Sequence, residues 1–152
     1  MGTRKHAMVF IVVLSLLLSV SFAFAQPMRG WRGSGGWGMG SGYQRIYDPA
    51  TVVSLSGEVL AVERITPVKG MSYGIHLLMK TDKETLSVHL GPAWYVERLD
   101  SKIEKGDRIE VKGSKVTIMG KPALIAARVR KGDQVLVLRD AAGIPAWAGW
   151  RK

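Results

Sequence analysis

Apolar and polar residues alternate with a period of two over most of the chain between Thr51 and Arg139. That is the pattern of strands with one buried face. In Thr51–Ile65 the alternation runs through Val53 and Leu55, then changes phase after Gly57 to Leu60 and Val62. A glycine with a phase slip predicts a bend or bulge in one long strand, as a small barrel needs where its first strand serves both halves. Pro67, Gly70 and Gly74 mark the following stretch as a loop. Ile75, Leu77 and Met79 then form one face of a second strand, and Leu86, Val88 and Leu90 one face of a third. One-sided burial puts both sets on the same side and so fixes the register. The expected inward pairs are Ile75/Leu90, Leu77/Val88 and Met79/Leu86. The opposite, outer face then pairs His76 with His89, Leu78 with Ser87, and Lys80 with Thr85.

Gly91-Pro92-Ala93-Trp94-Tyr95 follows. A proline at the first helical position suits its fixed φ and missing donor, so a short helix is expected here, with Trp94 and Tyr95 plugging one end of the barrel. Arg108–Gly113 alternates Ile109 and Val111 against Arg108, Glu110 and Lys112, and Val116 and Ile118 continue it. Met119-Gly120-Lys121 reads as a turn, Pro122–Val129 as the fifth strand, and Val135–Arg139 as a sixth. The fold class predicted is mainly β: a small closed OB-like barrel of five to six strands, with one short helix between strands 3 and 4.

The ends of the chain have a different character. Arg4, Lys5 and His6 precede an uncharged run, Ala7–Ala25, that closes in Ala23-Phe24-Ala25. This is the layout of a cleaved secretory signal. The alternative is an uncleaved anchor, since the run approaches the roughly 20 apolar residues that span a bilayer. Residues 26–45 are dominated by glycine, interrupted by Arg29, Trp31, Arg32 and Trp37. Glycine loses much backbone entropy on ordering and brings no side chain to a core, so this stretch is expected to be a flexible tether. The domain proper is placed at 46–152. The location implied is periplasmic or secreted, or membrane-anchored and facing the periplasm.

Composition narrows the chemistry. The chain has no cysteine, which removes disulfides, thiolate metal sites and c-type haem attachment. The net charge is +10, and +8 if Arg4 and Lys5 are lost with a signal. Lys and Arg are scattered rather than blocked, giving a diffuse positive field that favours an anionic surface, an anionic polymer or an acidic envelope protein. An exported chain gives no reason to expect specific nucleic acid. No Gly-x-Ser-x-Gly elbow, paired catalytic carboxylates or P-loop occurs, and the chain reads as non-catalytic.

The sharpest local candidate is the His76/His89 pair. Opposed residues of a hairpin have Cβ atoms about 4.5–5.5 Å apart, close enough for both imidazoles to reach one divalent transition metal if Glu58 or Glu63 supplied a further ligand. Lys80 and Ser87 share that outer face, and Arg128 and Arg130, with Lys131 and Arg139, form a basic flank. The candidate ligand-binding residues are therefore His76, Lys80, Ser87, His89, Arg128 and Arg130, with His76 and His89 as the candidate metal ligands.

Several segments together resemble a known group. They are Ser56-Gly57-Glu58-Val59, Val88-His89-Leu90-Gly91-Pro92-Ala93-Trp94-Tyr95, Gly106-Asp107 with Val111-Lys112-Gly113-Ser114, and Leu136 to Trp147. The order of signal, strands and helix resembles small exported bacterial OB-fold proteins, and more closely the domain shared by the magnetosome-associated MamS and MamX proteins. That resemblance implies an exported β domain linked to iron biomineralisation. MamX-like proteins carry Cys-x-x-Cys-His haem motifs, and a chain without cysteine cannot take over that chemistry. The function expected is a non-catalytic exported binding or accessory module of the cell envelope. The alternative is a periplasmic metal-handling protein using the cross-strand histidines.

Overall fold

The computed structural model describes residues 34–149. The expected signal or anchor at 1–25, the first part of the Gly-rich stretch and the last three residues lie outside the described part. Strand β1 spans Val52–Ile65, β2 Gly74–Lys80, β3 Thr85–Pro92, β4 Arg108–Ile118, β5 Lys121–Lys131 and β6 Gln134–Val137, with a four-residue helix α1 at Ala93–Val96. The strands lie in the order β3-β2-β1-β4-β5-β6, and β3 also pairs with β5. That last contact is parallel, joining Ser87–His89 to Ala123–Ile125, and it closes five strands into a ring. The fold is mainly β, with its helix between the third and fourth strands, as the sequence predicts.

The long first strand does serve two partners. Val52–Glu58 pairs with β4 and Glu58–Ile65 with β2. The change of partner falls at Glu58, which pairs with both; at Gly57 beside it a Cβ would run into the Lys80 carbonyl and the Met79 side chain. The bulge itself lies a little later, where the register shifts between Val59 and Ala61.

The hairpin register is the expected one from His76/His89 to Lys80/Thr85. It differs at one end: Ile75 faces Gly91 rather than Leu90, because the register slips between Ile75 and His76. Leu77, Met79, Leu86 and Val88 point into the ring with Val59 and Val111, each at most 2% exposed. Burying such side chains contributes about 1.5–3 kcal/mol apiece.

The expectation of a coreless tether up to residue 45 is overturned for its described part. Trp37 and Tyr43 are among the buried residues. The segment is pinned by the Trp94 indole donating to Ser34 O (3.3 Å), Ser72 N to Gly35 O (2.8 Å) and the Trp37 indole to Ser72 O (3.1 Å). From the other end of the chain, the Trp147 indole donates to Trp37 O (2.9 Å) and the Gln44 amide to Gly143 O (2.6 Å). Two glycines make room for these rings. A Cβ on Gly74 would overlap the Trp37 ring, and one on Gly91 would stand 2.7 Å from Trp147. The two terminal segments therefore form a second hydrophobic layer over the outer face of β2, β3 and β5. This is why Ala123–Ala127 is buried on both faces.

Candidate functional site

The structure sorts the six candidate residues into three places. His76, Ser87 and His89 come together on the outer face of the hairpin. Lys80 lies at the far end of that hairpin, opposite Thr85, and is exposed. Arg128 and Arg130 stand apart from them, on the C-terminal half of β5, beyond the part that pairs with β3.

The histidines face away from the ring core, as expected, but that face is not open to solvent. His76 is 1% exposed and His89 4%, because Tyr43 and the terminal segments cover them. Their rings stack at 3.7 Å between centroids with 25° between planes. His89 Nδ1 lies 3.0 Å from the Tyr43 hydroxyl, whereas neither nitrogen of His76 has a hydrogen-bond partner. Burial favours the uncharged imidazole. It pushes His76 down to about 4 and His89 down to about 3, the latter helped by His76 and Arg139. Burial also raises the Tyr43 hydroxyl to about 12. At neutral pH this group is an uncharged Tyr–His–His stack.

Arg139 is a departure from expectation. The sequence places it with Arg128 and Arg130 on a solvated flank, yet it is 3% exposed. The register shift in the β4–β5 pairing just after Lys112 explains how it is held. The shift leaves Ala127 out of the ladder, so the Ala127 carbonyl accepts the Leu138 and Arg139 amides at 2.8 and 3.0 Å. Arg139 Nη1 donates to the carbonyls of Ala126 and Leu90, and its guanidinium lies 4.9 Å from the Trp147 ring centre. Among the described residues it has no carboxylate partner, and Nε and Nη2 have no hydrogen bond. Burial lowers its pKa. The only sequence signal for this role was its place in Leu136–Trp147, immediately after an apolar strand.

The histidine pair offers two nitrogens but no built chelate. In a stack, the in-plane lone pairs run side by side rather than converging on one ion. Glu63 is the cross-strand partner of His76, yet its carboxylate is exposed, as is that of Glu58. Among the described residues no group of three or more His, Cys, Asp or Glu is placed to hold a metal. Beside the stack lies a cavity of 270 Å³, bordered by His76, Ser87, His89, Thr66 and Lys121 together with apolar side chains.

The basic flank is a separate surface on the outer face of β4, β5 and β6. One row across it reads Ser54, Lys112, Arg128, Val137, and the next Ser56, Glu110, Arg130, Val135. Arg130 pairs with Glu110 at 3.0 Å. Lys112 and Arg128 are directly opposed across the strands, both exposed, with no acidic partner among the described residues. Val135 and Val137, beside them, are about half exposed, at 48% and 51%. A shallow polar depression at the end of this face is bordered by Arg108, Arg130, Ser56 and Gly132.

The fold and surfaces define a small mainly β protein: a five-strand ring with a sixth strand, a buried polar layer on one side and a cationic sheet face on the other. The MamS/MamX magnetosome protein family matches residues 51–136, more than half of the chain, and the chain belongs to that family. No curated protein matches the sequence. The matched span covers β1 to β5 and most of β6, including both histidines and the basic face. Tyr43, which lies against His89, falls outside it, as do Trp37, Arg139 and Trp147.

Proposed function

We propose that this chain is a non-catalytic accessory module of the cell envelope that holds an anionic partner against the outer face of β4, β5 and β6. The reading rests on family membership and on one observation: Lys112 sits directly opposite Arg128 with no acid between them. Like charges opposed in an antiparallel pair destabilise a sheet. Among the described residues no acid offsets the arrangement, so its benefit is expected in a complex, where phosphate, sulfate or carboxylate groups would neutralise both. The neighbouring Val135 and Val137 give the partner apolar area to cover. Arg108 and Arg130 extend the charge along the sheet. Exposed charges of this kind act within about 8 Å at physiological ionic strength, so the contact must be close and salt-sensitive.

The partner is an anionic polymer, an anionic membrane surface or an acidic envelope protein. The test is retention on a sulfated-polymer column and on vesicles containing anionic lipid. Lys112→Glu converts the like-charge pair into an ion pair with Arg128. It is expected to leave the thermal midpoint unchanged or raised and to lower retention. Retention that is indifferent to this substitution and to salt would sink the proposal.

A further inference from the structure

A buried imidazole with neither nitrogen bonded, bordering a cavity, calls for an occupant that supplies the missing partner. His76 is such a group: it is 1% exposed, it borders the 270 Å³ cavity, and both its ring nitrogens are unpartnered. An unpaired buried polar group costs about 1–3 kcal/mol. Phenylalanine would fill the same place without that cost, so the nitrogens are retained against stability.

The rest of the lining narrows the class of ligand. Ser87 and Thr66 add hydroxyls, His89 adds a second imidazole, and Lys121 stands exposed at the start of β5. No acidic residue borders the cavity. The remaining wall is apolar, formed by Ile65, Pro67, Ile118, Met119 and Pro122. A volume of 270 Å³ equals that of about nine waters at ~30 Å³ each, enough for a small organic molecule. A neutral imidazole, hydroxyls and an ammonium group together donate hydrogen bonds to an anion, while the apolar wall excludes an inorganic one.

We infer that this cavity binds a small organic carboxylate, its carboxylate held by His76, Ser87 and Lys121 and its apolar body packed against Ile65, Ile118 and Met119. The cavity shares no lining residue with the basic face of Lys112, Arg128 and Arg130.

The probes are hexanoate, hexanol and hexylamine, added to the full chain while the histidine ring resonances are followed by NMR. Hexanoate is expected to shift the His76 and His89 rings saturably, hexanol to bind at least ten-fold more weakly, and hexylamine not to bind. Lys121→Met should bring hexanoate down to the level of hexanol. His76→Phe should lower hexanoate affinity at least ten-fold while keeping or raising the thermal midpoint. Lys112→Glu, outside the cavity lining, should leave hexanoate binding unchanged, which separates this site from the anionic-partner reading. The absence of saturable shifts with hexanoate overturns the inference. So does equal binding of hexanoate and hexanol, or unchanged binding in Lys121→Met, a surface variant whose folding is not at issue.

Discussion

His76 and His89 are the residues whose environment most affects the behaviour of the whole. Unfolded, each takes up a proton near the ordinary value of 6.5; folded, they do so only near 4 and 3. Between those limits the unfolded chain binds more protons than the folded one. Stability is therefore fully present above about 6.5 and falls as the pH drops toward the folded values. The groups facing the pair are Tyr43 from the N-terminal segment, Arg139 from the C-terminal one, Ser87 and Lys121 beside the cavity, and Glu63, the cross-strand partner of His76, whose exposed carboxylate is screened by solvent and offsets little of the new charge. Chemical denaturation at pH 7 and pH 5 should show a loss on the order of 2–4 kcal/mol, reduced by about half in His76→Phe. Equal stability at the two pH values would show that the imidazoles are not held neutral. Arg139 makes a second prediction. Arg139→Ala leaves the Leu90 and Ala126 carbonyls without their donor and removes the packing under Trp147, so a loss of about 2–4 kcal/mol is expected. A thermal midpoint within a degree of the parent chain would contradict that account of the contact.

At the scale of elements, the ring was legible and its covering was not. Strict alternation in β2 and β3 fixed which residues face each other, because a slip of one position would turn every apolar side chain outward. The slip at the end of β3 left no trace in the sequence, since Leu90 and Gly91 both satisfy a buried position. The segment around Trp37 carries no periodicity at all. Its order comes from fit rather than pattern: the indole occupies the space that Gly74, remote in sequence, leaves by lacking a side chain. The alternation puts the histidines on the outer face, but nothing in the glycine-rich run announces the cover that buries them there. Gly74→Ala and Gly91→Ala test this packing. Each must displace a tryptophan, at a cost of about 1–3 kcal/mol, and each should shift the tryptophan emission to longer wavelength. Unshifted emission would mean that the two rings are not seated there.

The whole molecule has two sides with different chemistry. One is a polar layer sealed by both terminal segments, uncharged apart from Arg139, with a cavity at its border. The other is a sheet face where Arg108, Lys112, Arg128 and Arg130 outnumber Glu110 and Glu58. The net charge of +10 announces a positive field but not where it is concentrated, because Lys and Arg are spread along the chain and only the β4–β5 register brings Lys112 and Arg128 together. The most direct test is an amide NMR titration of the domain with inorganic tripolyphosphate at low and physiological salt. The account predicts shifts concentrated at Lys112, Arg128, Arg130 and Val137, weakened by salt, with none at His76. Shifts scattered over the lysines of both faces, or centred on the histidine side, would contradict it.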